Sequence, residues 1–426
     1  MKRTLRLRAT ALAAALLTVG ACSSGTQSST GASSAANAAP VTLTMWGTYG
    51  NGGNSAQTDA LAKLITKFEA ANPGITVNYV DMPYDQLKQK LTTSAAGGGL
   101  PDVLRSDIGW VAQFGKLGAF APLDTEMPGF ADLSKTTYPG TLAANKYNGH
   151  YYGMPLDTNT RVLVTSPDVL AKAGMTAPPA TFDEFKAMAA KLPAGTQLFA
   201  DSGLQGWNIL PWIWSGGGDI TDPGVTTATG YLDSDKSVAA VQMLVDLYNA
   251  KQIPNLITGN QGGTSTSDGL PGGKYATILD GPWMVDIWAQ QYPAFKPTFS
   301  PVPAGPGGSI SVVGGESMVM SETSTHKEAA AKFIQYTLSD DFQLGMADAG
   351  QMPVVATAGT KAATAHPYYS VFATQLQTAK ARLPIPDAGK VDTILNTELT
   401  KAFTGSESVK AALTAAASQI DPLLKG

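Results

Sequence analysis

The sequence predicts an α/β protein whose folded body has two domains. Between residues 41 and 107, apolar or β-branched runs alternate with amphipathic patterns in the order β-α-β-α-β, which is typical of a parallel sheet covered by helices. The body after residue 40 has roughly 385 residues, more than one hydrophobic core usually serves. Because Cys22 is the only cysteine, no disulfide can form within the chain, and stability must come from packing.

The first half of the body has the clearest elements. In order, they are a strand over 41–46, a helix through Leu61 and Phe68, a strand over 75–80, a helix over 84–93, a strand at 103–104 and a helix through Trp110 and Phe114. Asp107 follows the third strand. Ligands of open α/β sheets bind beyond the carboxyl ends of strands, so Asp107 is a candidate ligand contact; the alternative is a helix N-cap.

The second half continues the alternation with less regular spacing. Strands are predicted over 160–165, 275–279, 299–302 and 315–320. Thr181 and Glu184 form a capping box at a helix start. The aromatic run 206–214 is predicted to be a loop, and the chain after Ser324 is predicted to be mostly helical.

The amino terminus is predicted to be a targeting segment rather than part of the fold. Residues 1–21 combine a basic start with an apolar stretch too short to span a bilayer as a mature helix, as in a signal peptide. Val19-Gly20-Ala21-Cys22 resembles a lipobox, which implies lipidation of Cys22; the alternative is an ordinary signal peptide. Residues 22–40 are predicted to be a flexible tether, which would leave the body anchored to the outer face of the cell membrane.

Charge and motifs exclude several classes of function. Without residues 1–21 the chain has 25 basic and 33 acidic residues, a net charge of −8 with no basic stripe, which argues against a nucleic-acid partner. Ser324 and Lys327 fit S-x-x-K without its partner motifs, and Gly272-Gly273-Lys274 lacks the leading glycine of a nucleotide loop. The three histidines have no zinc spacing, so neither a metal nor a cofactor is expected.

Several short motifs resemble one family in their order along the chain. They are FEAANPGITV, PDVLRSDIGW with GKLGAFAPLD, YNGHYYGMP, AGMTAPPATFDEF, the Gly-Gly-Gly at 216–218, DGPW, VPAGPGG followed by VGGES, and HKEAAAKFIQYTLSD. The sequence resembles the solute-binding proteins of bacterial ABC importers, in particular the maltose-binding-like, carbohydrate-binding lipoproteins. The resemblance spans nearly the whole mature chain and departs from the family at 164–167.

The resemblance implies a two-lobed periplasmic-binding-protein fold of type II, with a ligand cleft between lobes joined by a hinge. Its pattern places the first lobe at 41–157 plus 298–322, and the second lobe at 158–297 plus 323–426. It further implies a sugar as ligand, the importer's permease subunits as partners, a monomeric state and no enzymatic activity.

A sugar is recognised by aromatic plates for its C–H faces and by polar side chains for its hydroxyls. The residues predicted to bind it are Trp46, Tyr49, Asp107, Asn159, Arg161, Trp207, Trp283, Gly315 and Glu316. Each tryptophan has core packing as its alternative, Arg161 an ion pair between lobes, and Glu316 a solvated loop. Arg382 lies in a segment that relatives also place near the cleft.

The predicted function is therefore a membrane-anchored carbohydrate receptor that captures its ligand by hinge closure. One alternative is a secreted glycoside hydrolase, which would need paired carboxylates at a set separation. Another is a receptor for a non-sugar solute such as a polyamine or ferric ion, for which Tyr151-Tyr152 and Tyr368-Tyr369 are the candidate ligands.

Overall fold

A computed structural model describes residues 39–50, 55–259 and 264–425 of the chain. The predicted signal peptide, Cys22 and nearly all of the predicted tether lie outside the described residues. Among the helices that are described, none is both long enough and apolar enough to cross a membrane.

The first sheet contains the strands predicted in the first half of the chain. Val41–Gly47 lies between Ile75–Asp81 and Val103–Asp107 and pairs with both in parallel. Val312–Met320 pairs antiparallel with Val103–Asp107, which places Glu316 opposite Asp107. The predicted β-α-β-α-β order is confirmed, because the helices Ser55–Ala71 and Tyr84–Gly97 connect the three parallel strands.

The second sheet is built from four strands in the later part of the chain. Val162–Thr165 pairs antiparallel with Thr298–Ser300 on one side and with Tyr275–Asp280 on the other. Gln197–Ala200 completes the sheet in parallel with Tyr275–Asp280. All four residues of Val162–Thr165 are buried, so both faces of this strand are covered.

The chain first passes between the sheets at Arg161. Met154–Thr160 pairs antiparallel with Val312–Met320 in the first sheet, and Val162–Thr165 follows in the second. The sequence predicted a single strand over 160–165. All seven residues of Met154–Thr160 are buried, so this strand shows no alternation of apolar and polar residues from which it could be recognised.

The structure corrects two of the predicted lobe limits. The return segment 298–322 starts too early, because Thr298–Ser300 pairs within the second sheet. The segment 323–426 is not confined to the second lobe: Lys327–Thr337 packs against the first sheet, where Phe333 and Leu43 share one core. The remaining limits, at 41–157 and 158–297, stay predictions.

Helices cover both sheets. The α-helices are Ser55–Ala71, Tyr84–Gly97, Ile108–Lys116, Leu123–Glu126, Phe130–Leu133, Pro139–Ala143, Pro167–Lys172, Phe182–Met188, Gly206–Ser215, Asp235–Asn249, Thr266–Gly269, Met284–Gln291, Lys327–Thr337, Asp340–Ala347, Ala356–Ala365, Tyr369–Leu376, Ala388–Phe403 and Val409–Ile420. The 3₁₀ turns are Ser134–Thr136, Ala189–Lys191, Asn255–Thr258 and Asp421–Lys425, and the short strands Lys146–Tyr147, His150–Tyr151 and Lys380–Ala381 complete the elements. The predicted N-cap at Thr181 is confirmed, since its hydroxyl accepts the Glu184 N–H at 3.2 Å.

Candidate functional site

A cavity of about 1180 Å³ is lined by residues from both sheets and from the helices that follow them. Asp107 and Asp280, the last residues of two strands, both face it, as expected for the carboxyl ends of strands in an α/β fold. The predicted site residues that line it are Asp107, Asn159, Trp207, Trp283, Gly315 and Glu316. The structure therefore brings together side chains that are up to 209 positions apart in the sequence.

Asp107 is an N-cap and also lines the cavity, so the predicted cap is confirmed and the contact with ligand stays a prediction. One carboxylate oxygen accepts the Gly109 backbone N–H at 2.6 Å and pairs with the Arg382 guanidinium at 2.9 Å. The other accepts the Tyr84 hydroxyl at 2.9 Å. Burial, with the adjacent Asp107 charge, raises the pKa of Tyr84 well above its usual value, so Tyr84 stays a proton donor.

Glu316 lies within the strand Val312–Met320 rather than in a solvated loop. The Arg105 guanidinium is 2.9 Å from Glu316 and 3.4 Å from Asp157, and all three side chains are at most 15% exposed. Burial raises the pKa of Glu316 well above its usual range, and the Arg105 charge only partly opposes this. At this point of the cavity wall, two carboxyl groups share one buried guanidinium.

Gly315 is required by the backbone, because its φ of +131° is outside the range that other residues readily adopt. A Cβ atom there would collide with the Asp157 carbonyl oxygen and lie 2.9 Å from the Thr158 Cα. The glycine at this position was predicted to let a ligand approach the backbone. In the structure, the neighbouring strand Met154–Thr160 makes that close approach instead. At the adjacent Gly314, a Cβ would strike Asn159 and come within 2.7 Å of Trp207, so this glycine makes room for two cavity residues.

Trp207 is held by a helix, not by the predicted loop. The helix Gly206–Ser215 has Pro211 in its interior, and a proline has no N–H with which to bond the carbonyl four residues earlier. That carbonyl belongs to Trp207, and the Arg161 guanidinium donates to it at 3.2 Å. Arg161 therefore satisfies the oxygen that Pro211 leaves free and fixes the backbone beneath the indole.

Arg161 is a buried structural residue, and its predicted ligand contact is corrected. Both terminal nitrogens bond the Asp201 carboxylate, at 2.9 and 3.0 Å, and one also donates to the Leu279 carbonyl at 2.5 Å. The side chain is 5% exposed and does not contribute to the described cavity wall. Because Asp201 follows a strand of the second sheet, the ion pair does not link the two lobes either.

Trp207 and Trp283 form an indole pair at the cavity surface. Their ring centroids are 6.3 Å apart and their planes differ by 30°, and both rings remain partly exposed. The guanidinium carbons of Arg161 and Arg382 lie 5.7 and 5.6 Å from the Trp207 centroid, within cation–π range. The pair adds an apolar plate to the wall that Asp107 and Glu316 also line.

Trp46 and Tyr49 are core residues, which corrects their predicted contact with ligand. They are 5% and 1% exposed, and neither belongs to the described cavity wall. The Lys90 amine lies 4.1 Å from the Trp46 ring, and the Arg105 guanidinium 4.4 Å from the Tyr49 ring. Trp46, in the first strand, packs with Leu87 of the helix Tyr84–Gly97, whereas Tyr49 lies two residues beyond that strand and packs against Tyr79.

Polar residues of the wall that the sequence did not nominate include Tyr84, Asp280 and Asp392, and Arg382 was noted only as lying in a segment near the cleft. Asp280 is the first residue of the DGPW motif, in which only the tryptophan was predicted to contact the ligand. Tyr84 and Asp392 lie on helices, and nothing in helical spacing distinguishes a cavity face from a solvated one. Arg382 had only its place in the family pattern as a signal.

The tyrosine pairs proposed as iron ligands lie elsewhere. Tyr151 packs against Phe130, and Tyr368 and Tyr369 pack against each other and His366, away from the described cavity wall. Within the described residues, no cluster of three or more histidine, cysteine, aspartate and glutamate side chains is arranged to hold a metal ion.

Comparisons with known proteins identify similar chains. Residues 52–344, more than half of the chain, match the family model described as bacterial extracellular solute-binding protein. A Deinococcus radiodurans relative, named a probable ABC transporter-binding protein, is 28% identical over 317 residues, covering 68% of this chain and 71% of its own.

Two solved structures share the fold over nearly their whole length. The GacH receptor of Streptomyces glaucescens, solved unliganded and with acarbose, has a TM-score of 0.80 at 24% identity and covers 90% of this chain and 98% of its own. Maltose-bound MalE3 of T. maritima has a TM-score of 0.76 at 26% identity, covering 90% and 99%.

Proposed function

The chain belongs to the family of bacterial extracellular solute-binding proteins, and on that premise we propose that it binds a mono- or oligosaccharide and delivers it to an ABC importer. The observation that carries the proposal is the cavity itself, whose wall combines the Trp207–Trp283 plate with the polar groups of Asp107, Asn159 and Glu316. This combination suits a ligand with C–H faces and hydroxyl edges. The names of the relatives support the same ligand class, since one structure is maltose-bound and the other was solved with acarbose.

The proposed mechanism is closure of two lobes around the sugar. Ligand contacts from both walls, Asp107 on one and the indole pair on the other, stabilise the closed arrangement relative to the open one. The permease then recognises the closed shape. No bond is made or broken, so the protein acts as a receptor and not as a hydrolase.

The cellular setting is part of the same proposal. Lipidation of Cys22 would anchor the chain to the outer face of the cell membrane, and residues 22–40 would act as a tether between anchor and body. We further propose that the receptor is a monomer.

A thermal-shift screen of the purified protein against mono-, di- and oligosaccharides tests the function. A ligand at about 100 times its Kd should add about 2.7 kcal/mol of stability, and Trp207→Ala should abolish the shift. Chromatography of the same mixtures should show intact sugar. Release of shorter sugars would instead indicate a hydrolase, and a shift with iron, peptide or polyamine but with no sugar would overturn the assignment.

A further inference from the structure

Three buried arginines stand at or behind the cavity, and each faces two carboxyl groups. The sets are Arg105 with Asp157 and Glu316, Arg382 with Asp107 and Asp392, and Arg161 with Asp201 and Asp280. In each set, one or both of the carboxyl groups line the cavity. The balance of charge within each set determines whether the wall presents a net negative charge to a ligand.

In two of the sets the negative charge is offset. Burial raises the pKa of Glu316 well above its usual range and so favours its neutral form, which reduces the negative charge that faces Arg105. Asp392 accepts the Gly206 N–H at 2.9 Å and interacts electrostatically with both Arg382 and Lys88. Two positive charges therefore offset the carboxylates of Asp107 and Asp392.

The third set leaves Asp280 without a counter-ion. Asp201 takes both terminal nitrogens of Arg161, and no basic side chain among the described residues lies within ion-pair distance of Asp280. The Asp280 carboxylate accepts the Gly281 backbone N–H at 2.8 Å. Burial raises the pKa of Asp280 to about 6, so the group is mostly ionised at neutral pH.

Asp280 is placed where a substituent of a stacked sugar would reach. Because the Trp283 ring packs directly against Gly281, the residue after it, Asp280 lies beside the indole pair, and a ring that rests on an indole face directs its substituents toward the ring edge. Asn159, 7% exposed, lines the same cavity next to Trp207, and its Oδ1 accepts no hydrogen bond from the described residues. The indole pair is thus accompanied by two acceptors, one of them charged.

We infer that the ligand carries a protonated amine, as an amino sugar does, and that Asp280 is the residue that selects it. The inference rests on the proposed sugar-binding function and names the class of sugar. A neutral hydroxyl needs only an acceptor, which a balanced ion pair or an amide supplies. An uncompensated carboxylate in a partly buried wall is costly by itself, and a ligand cation removes that cost. An ammonium group has three donors and also interacts favourably with indole faces.

Matched pairs of sugars test the inference by calorimetry at pH 7.5. The probes are glucose and glucosamine, galactose and galactosamine, and cellobiose and the chitosan disaccharide. We expect an amino sugar to bind roughly tenfold more tightly than its neutral partner, the order expected for one charge pair near a protein surface. Asp280→Asn should remove the preference, so that an amino sugar and its neutral partner bind the variant with affinities within about threefold of each other, and cooperative thermal unfolding shows that the variant is folded.

Asp183→Asn is the matched control, because it removes one negative charge from an exposed helix position outside this cavity. It should keep the preference. Equal or tighter binding of the neutral partners by the unchanged protein would overturn the inference and leave the proposed function standing, as would a preference that survives Asp280→Asn. Binding of spermidine without binding of any sugar would overturn both.

Discussion

At the scale of single residues, the structure separates side chains that face the ligand cavity from those that hold them in place. Arg161 illustrates the second kind: it lies beneath Trp207, bonds its carbonyl and is itself fixed by Asp201. From the sequence, both Arg161 and Asn159 were predicted to contact the ligand, with an ion pair between lobes as the alternative for Arg161. Their roles differ because one side chain points behind the wall and the other into the cavity.

Arg161→Met is expected to lower the free energy of unfolding by about 3–5 kcal/mol, because it leaves Asp201 buried without its counter-ion. Lys135→Met is the control, since it breaks an exposed ion pair with Asp132 and should leave the free energy of unfolding nearly unchanged. Urea denaturation compares the two variants. Equal effects would contradict the structural role of Arg161.

The free energy of unfolding of the Asp280→Asn variant, relative to that of the unchanged protein, is expected to increase as the pH rises. With a folded pKa of about 6 and an ordinary value near 3.8, the folded state holds the Asp280 proton more tightly than the unfolded state does. The carboxylate therefore destabilises the folded protein progressively between about pH 4 and 6. The difference in free energy of unfolding should grow by up to about 3 kcal/mol between pH 4 and pH 7, as measured by urea denaturation at each pH. A difference that does not change with pH would contradict the buried position of Asp280.

At the scale of elements, patterning predicted the three parallel strands of the first sheet and most of the helices, but not the parallel strand Gln197–Ala200 of the second sheet. It failed at Met154–Thr160, where full burial removes the alternation, and at Gly206–Ser215, where Gly206 and Pro211 resemble a loop. In that helix the tertiary bond from Arg161 satisfies the carbonyl that proline leaves unpaired, and no local rule contains this information. Similarly, Trp46 and Trp207 could not be distinguished as core and cavity residues until the packing of their elements was known.

Gly315→Ala is expected to cost at least about 2 kcal/mol of stability, because the new Cβ meets the Asp157 carbonyl and the φ of +131° strains the backbone. Gly140→Ala is the control: it lies in the helix Pro139–Ala143 with no atom within 4 Å of the added Cβ. This control should be neutral or gain up to about 1 kcal/mol. Thermal unfolding of both variants measures the effect, and a neutral Gly315→Ala would contradict the pairing of the two strands.

At the scale of the whole molecule, the two sheets are joined by chain that passes between them more than once. The junction at Arg161 and the segment between Thr298–Ser300 and Val312–Met320 both connect a strand of one sheet to a strand of the other. The cavity therefore lies where movement of the sheets relative to each other would change its width. Its wall combines indole faces with hydrogen-bonding groups that come from the elements of both sheets.

The most direct test of the account is a calorimetric titration with the sugar identified by the thermal screen, using the unchanged protein, Trp207→Ala and Asp107→Ala. These two changes remove one contact from each wall. We predict one sugar per chain and an affinity at least tenfold weaker in each variant, because a single ligand contacts both walls. Unchanged affinity in both variants would contradict the claim that this cavity is the sugar site.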